Sequence, residues 1–468
     1  MIKKTFALTL SLSVSAQLAA QTETDYLSGI TPECRQNNPN IVFILLDDAG
    51  YGDLIGKSEL KMPNIQQMAE NGLVFTDHYS GAPVSAPSRC ALMTGKHTGH
   101  AVIRGNKGYY PEGQEALPLT EKTIASIIKE NTNYRTALFG KWGLGGPNSP
   151  GWEDGDGDPL HHGFDRFYGY LCQLQAHSYY PSHLWEGKDG KWRKDELDHV
   201  YSHTLITENA LNFIEESQNQ KAPYFLYVAY TIPHSLLQIP KEYVEEFYGD
   251  KAWPALKKNF AAMMSLADRD IGRILQTVDP ENTIIFFSSD NGPHREGGGN
   301  PKWFQSSGGF RGIKRDVYEG GIRLPLIAWG KNIQKGTSEH VCAFWDFLPT
   351  VVDILGIQTQ YPTDGISYAP TLFGKGKQKE HPYLYWEFHE QGGKQAVRKE
   401  NWKLVRLKAF SNRSVFELYD LSTDPKERKN LIRRYPEKAE ELKEIMRKAH
   451  IESEIFPGIQ PIPTAESR

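Results

Sequence analysis

Residues 41–46 read Ile-Val-Phe-Ile-Leu-Leu and run directly into Asp47-Asp48. An uninterrupted apolar run has no polar face to offer water, so it must be covered on both sides, as inside a parallel sheet. Further apolar runs at 137–139, 224–230, 283–287 and 324–329 alternate with helical patterning near 65–71, 121–130 and 204–216. Strands alternating with helices predict an α/β fold with a mostly parallel central sheet. Chemically distinctive residues follow these strands, at the end where open α/β sheets bind ligands.

The pattern changes after about residue 360. Short, closely spaced strand candidates at 383–388, 395–398, 402–407 and 415–419 precede helical patterning at 436–449. They predict a small C-terminal antiparallel-sheet subdomain with a terminal helix. The Gly-, Pro- and Asp-rich stretch 145–161 reads as a surface loop. The expected organisation is a signal peptide over 1–20, a large α/β domain over 21–360 and a subdomain over 361–468. A chain of this length buries a large core.

Lys3 and Lys4 precede an apolar and small-residue run from Phe6 to Leu18, with Ala16, Ala19 and Ala20 as cleavage options. The run falls short of the about 20 residues a membrane span needs, so it reads as a leader for export. No cysteine lies near the cleavage region to take a lipid, which predicts a periplasmic protein with no stable membrane anchor. The formal charge of −4 becomes −6 when the two leader lysines are removed. A mildly acidic chain has no nucleic-acid signature. Cys34, Cys90, Cys172 and Cys342 are too scattered for a disulfide scaffold or a metal knuckle, leaving one disulfide or buried thiols as the alternatives.

Two acidic clusters each follow an apolar run: Asp47-Asp48 and Asp290-Asn291-Gly292. Each alone also reads as a turn. Brought side by side at neighbouring strand ends, they form an oxygen-rich site for Ca²⁺ or Mg²⁺. Between them lies Ser85-Ala86-Pro87-Ser88-Arg89, followed by Leu92, Thr94 and Gly95. A helix starting at Ser85 places Arg89 one turn on, over the same face.

Leu46-Asp47-Asp48-Ala49-Gly50-Tyr51-Gly52, the Ser85 motif, Gly140-Lys141-Trp142-Gly143-Leu144-Gly145, Pro233-His234, Asp290-Asn291-Gly292 and Gly309–Arg323 occur in the order typical of type I sulfatases. The chain resembles that family over nearly its whole mature length. The resemblance implies an alkaline-phosphatase-like large domain and Ca²⁺ held by Asp47, Asp48, Asp290 and Asn291. It also implies that Ser85 is oxidised to formylglycine by a serine-type maturating enzyme and completes the metal site. The hydrated aldehyde offers one hydroxyl to attack sulfur and a second to expel sulfate. By the same resemblance Arg89 steadies the nucleophile, Lys141 and Lys314 contact sulfate, and His234 protonates the leaving oxygen. Gly143 departs from the pattern, because many family members carry a histidine there that helps release sulfate. His97 and His100 are the candidates to replace it.

Gln173–Tyr180 with Trp185, and Trp386–Glu390, mix aromatic and hydrogen-bonding residues as sugar pockets do, and equally fit core packing with polar edges. The variant at 140–145 together with Gln175-Ala176-His177-Ser178-Tyr179-Tyr180-Pro181 resembles exported bacterial carbohydrate sulfatases. That likeness implies a sulfated carbohydrate substrate, led by the 6-O-sulfate of galactose or N-acetylgalactosamine in glycosaminoglycan or mucin glycans. Arg104, Asn106 and His177 are the expected sugar contacts. One alternative is a phosphatase or phosphodiesterase of the same superfold, with unmodified serine and two zinc ions, which requires extra Asp and His ligands; His294 follows Asn291. Another is a non-catalytic protein that binds sulfated sugar.

Overall fold

The computed structural model describes residues 34–56 and 59–463, so the leader expected at 1–20 lies outside the described residues. The apolar run that leads into Asp47-Asp48 is β1 (Asn40–Leu46), buried at every position. It belongs to a ten-stranded sheet with β2 (Leu73–Phe75), β3 (Arg135–Lys141), β4 (Arg166–Tyr170), β5 (His183–Lys188), β6 (Lys191–Glu196), β7 (Tyr224–Ala229), β8 (Thr283–Ser289), β9 (Leu326–Gly330) and β10 (Gly336–Ser338). The order is β10-β2-β9-β8-β1-β7-β3-β4-β5-β6. The central block β8-β1-β7-β3-β4 is parallel, whereas β9 joins β8, and β5 joins β4, antiparallel.

Side chains of β1 alternate between two cores, as the pleat requires. The main covering helices are α1 (Ser85–Thr94), α2 (Ile124–Asn131), α3 (Ser202–Asn219), α4 (Ala255–Thr277) and α5 (Phe347–Leu355). Ile41, Phe43 and Leu45 face α1, α2 and α5, while Val42, Ile44 and Leu46 face α3 and α4. Phe43 packs edge-on against Phe347 with ring centroids 4.6 Å apart. Truncating such a ring typically costs about 3–5 kcal/mol.

The C-terminal strands β11 (Leu384–Phe388), β12 (Lys394–Lys399), β13 (Trp402–Leu407) and β14 (Val415–Asp420) form an antiparallel sheet in chain order. Helix α6 (Pro436–Ala449) covers one face through Ala439, Leu442 and Met446. The other face docks on the large sheet's domain, where Trp386, Val405 and Tyr419 meet Tyr79, Val317 and Trp345. The four cysteines are buried and no disulfide joins them. No described helix is long and apolar enough to cross a membrane.

Candidate active site

Leu46 at the end of β1 pairs in parallel with Ser289 at the end of β8, so Asp47-Asp48 and Asp290-Asn291 leave the sheet side by side. The Asp48 N–H donates to Asp290 Oδ1 at 3.0 Å, and Asn291 Nδ2 donates to Asp48 Oδ1 at 2.7 Å. Asp48 sits at φ 68, a left-handed conformation that is uncommon outside glycine and asparagine or aspartate. Helix α1 starts at this same edge. Val84 takes the capping position, so the Ser85 hydroxyl is not spent on the helix end. It donates instead to Asp47 Oδ1 at 3.1 Å and reaches Asn291 Oδ1 at 3.4 Å, inside a site where Ser85 is 1% exposed.

One helical turn on, Arg89 donates from Nε and Nη2 to Asp290 Oδ2 at 3.1 and 2.9 Å, and from Nη1 to Lys141 O at 2.8 Å. Ser88 Oγ donates to the Asp290 carbonyl at 2.5 Å. Lys141, the last residue of β3, places Nζ 2.5 Å from Asp47 Oδ2. Lys314 places Nζ 2.8 Å from Asp48 Oδ2 and 2.9 Å from Glu296 Oε2. His234 Nδ1 donates to Ser235 O at 2.8 Å, which turns Nε2 into the site, 3.6 Å from Asp48 Oδ2.

These charges set one another. Burial pushes the Asp47 carboxyl up, but Lys141, His234 and Arg89 together outweigh it and hold it well below the usual range. Asp48 experiences the same contest against Lys314 and His234 and ends at about 2. Burial and the neighbouring Asp47 lift Asp290 to about 6, against Arg89. Burial also lowers Lys141 and drives His234 down to about 3, in both cases against Asp47. Lys314 is held above its ordinary value, because Asp48 and Glu296 outweigh burial. The carboxylates of Asp47, Asp48 and Asp290 and the amide oxygen of Asn291 are all buried and converge beside Ser85, an all-oxygen donor set that fits a hard divalent cation.

A pocket opens over His234 and Lys314, with Asn106, Gln114, Gln173, His177, Glu296 and Arg315 on its walls. His177 Nδ1 donates to Gln173 O at 2.9 Å, and its ring meets His234 edge-on with centroids 4.7 Å apart. Asn106 lines the pocket while its Oδ1 accepts the Ala86 N–H at 3.0 Å, supporting the start of α1.

Three expectations require correction. Arg104 does not line the pocket: it is buried, with Nη1 donating to Glu387 Oε1 at 2.7 Å and to Ile451 O at 2.6 Å, so its charge ties the C-terminal subdomain to the large one. His97 and His100 lie beyond the far end of α1, where His100 Nδ1 contacts Asp364 Oδ1 at 2.7 Å and the two rings lie tilted against each other with centroids 4.3 Å apart. Neither can replace a histidine at 143. Trp386 is core, its indole donating to Ser80 O at 2.9 Å, and Trp185 packs by Trp192 with its indole on Glu112. His294 lies beside Asp48 and Glu296, with Nδ1 accepting the Glu296 N–H and Nε2 donating to Pro233 O at 3.1 Å each.

Gly143 has a reason to be glycine. Its φ is +74, and a Cβ there would fall 2.4 Å from Gln173 Nε2. Gln114 fixes this corner, its Nε2 donating to Gly143 O and its Oε1 accepting the Gln173 N–H at 2.9 Å. Gln114, Glu296 and Arg315 carry no motif that distinguishes them from surface polar residues, and sequence reasoning missed them.

The chain is similar to arylsulfatase from Hemicentrotus pulcherrimus, 34% identical over 358 residues that span 70% of this chain and 60% of that protein. It is similar to N-acetylgalactosamine-6-sulfatase from Mus musculus, 30% identical over 74% of this chain and 68% of that one. Among solved structures, Ps i-CgsB in complex with k-i-k-neocarrahexaose superposes with a TM-score of 0.73 at 27% identity, covering 88% of this chain and 92% of the other. The C-terminal part, residues 309–453, matches the family described as N-sulphoglucosamine sulphohydrolase, C-terminal. Residues 39–357, which include every residue from Asp47 to Lys314 discussed above, match the sulfatase family. The chain belongs to the sulfatase family and is a sulfuric ester hydrolase.

Proposed function

We propose that this enzyme removes sulfate from carbohydrate, led by the 6-O-sulfate of galactose or N-acetylgalactosamine, using formylglycine made from Ser85 and Ca²⁺ held by Asp47, Asp48, Asp290 and Asn291. The observation that carries the reading is the Ser85 hydroxyl enclosed by Asp47 and Asn291, with Lys141 and Lys314 flanking. As the hydrated aldehyde, residue 85 supplies a geminal diol for attack on sulfur and for later release of sulfate. Ca²⁺, when bound, lowers the pKa of that nucleophile and balances sulfate charge.

The remaining work falls to the chain's own side chains. Lys141 and Lys314 bring two buried cations to the sulfate oxygens, where charge grows in the transition state. Arg89 holds Asp290 and the Lys141 carbonyl, keeping the acidic cluster in place under the nucleophile. His234 Nε2 faces the site and, once protonated there with Nδ1 held on Ser235 O, is placed to pass that proton to the leaving sugar oxygen. Asn106 and His177 on the pocket walls contact the sugar. Support for the galacto-configured 6-sulfate comes from the likeness to the murine N-acetylgalactosamine-6-sulfatase. The same reading includes export to the periplasm, maturation by a serine-type maturating enzyme, and a division into a catalytic unit over 21–360 and a subdomain over 361–468.

The deciding experiment is mass spectrometry of the Ser85 peptide from native-host protein, where oxidation removes about 2 Da. Its presence, with sulfate released from 6-sulfated galacto sugars, supports the proposal. Unmodified serine throughout would overturn the nucleophile.

A further inference from the structure

The segment 311–321, which carries Lys314, is gripped from two sides. Towards the site, the Lys314 N–H donates to Pro293 O at 2.9 Å, the Arg315 N–H to Pro83 O at 2.7 Å, and the Gly292 N–H to Gly321 O at 3.0 Å. Gly292 follows Asn291 directly, and a Cβ on it would fall 2.1 Å from Gly320 O, so the two turns touch backbone to backbone. From behind, the C-terminal sheet holds the same segment. Arg311 Nη1 donates to Tyr419 Oη at 2.7 Å and to Glu427 O at 2.9 Å, and Lys394 Nζ donates to Arg315 O at 2.6 Å.

The grip ends in a fully buried ionic triad. Lys403 on β13 places Nζ 2.8 Å from Glu319 Oε1 and 2.9 Å from Glu427 Oε1, and none of the three side chains is exposed. Glu427 Oε2 accepts the Glu319 N–H at 2.7 Å, while Glu319 Oε2 accepts from Tyr79 Oη at 2.7 Å. Burying ions is a poor way to gain net stability, because desolvation opposes their attraction. What the triad does supply is one fixed arrangement: Glu319 is held by side chain and backbone together, immediately before the Gly320-Gly321 turn that packs on Gly292.

The geometry points to Lys403, Glu319 and Glu427 as positioning residues that set Asn291 and Lys314 from where the C-terminal sheet meets segment 311–321, outside the pocket they serve. The inference rests on the metal and sulfate roles proposed above. Without Lys403, two carboxylates share a dry interior with one cation fewer, and the turn at 319–321 is pushed off Gly292. The cost then appears at the metal and at the sulfate lysine rather than in the fold alone.

The test uses the full chain, stripped with EGTA and titrated with CaCl₂ while thermal unfolding is followed, alongside kcat on a sulfate ester. Lys403→Met that retains the wild-type circular dichroism and elution volume is expected to need at least tenfold more Ca²⁺ for its half-maximal shift. Its kcat is expected to fall at least tenfold, and Lys403→Arg to restore most of both. Changes under fivefold in a folded Lys403→Met protein would overturn the inference. If that variant does not fold, Glu427→Gln, which keeps the side chain's shape, is judged by the same thresholds. A wild type showing no Ca²⁺ shift would instead sink the metal reading, and kcat alone would then decide for the triad.

Discussion

Gly143 lies so close to Gln173 that a single added carbon would sit 2.4 Å from the glutamine amide nitrogen. The space beside Gly143 is therefore filled from another loop. Gly143→Ala is expected to cost about 1–3 kcal/mol, from left-handed strain and overpacking. Gly143→His alone will not raise kcat, whereas Gly143→Ala with Gln173→Ala will recover part of the stability. Denaturant unfolding of the single and double variants measures the coupling.

Removing the metal should loosen the whole sheet edge. Asp47, Asp48 and Asp290 converge there, and a bound divalent cation stabilises only the folded arrangement. At a hundredfold excess over Kd the linkage is worth about 2.7 kcal/mol. Thermal unfolding in EGTA against saturating CaCl₂ should show a lower Tm without the ion, and Asp290→Asn should shrink the difference.

Arg104 and His177, both expected from sequence to touch sugar, should separate. Breaking the buried Arg104–Glu387 pair with Arg104→Ala is expected to cost about 3–5 kcal/mol. KM should stay near wild type in whatever protein remains folded. His177→Ala should raise KM by roughly tenfold, the scale of one lost contact of about 1.4 kcal/mol, and leave Tm in place. Paired kinetics and melting curves distinguish the two.

Asp53 gives the fold a pH signature. Burial pushes its carboxyl up to about 7, against a hydrogen bond from the Gly50 N–H, while its ordinary value is 3.8. A raised carboxyl pKa means the folded state holds the proton longer than the unfolded one. Its contribution is therefore fully present below about pH 4 and is lost as pH rises through 7. Asp53→Asn removes that dependence, so the variant's Tm should gain a few degrees on wild type between pH 5 and pH 8.

The strands of the sheet interior were legible because burial on both faces leaves an unbroken apolar run, as in β1 and β8. The acidic and basic residues at the strand ends were legible because each sits in a short local motif. Arg104 was misread because its partner, Glu387, lies 283 positions away and leaves no trace beside it. Gly143 looked like a loss because the side chain that fills its space, Gln173, comes from another strand end. Lys403, Glu319 and Glu427 were invisible for the same reason: isolated charges in a sequence read as solvated, and only the docking of β13 brings them together in the dark of the interior.

The Ser85 hydroxyl is enclosed partly by Asn291, 206 residues later in the chain. At about 5–20 residues per second, those residues take about 10–40 s to synthesise. Until then nothing from β8 exists to cover the serine. Under the proposed oxidation of Ser85, biosynthesis thus opens an interval during which a modifying enzyme can reach residue 85, and folding closes it.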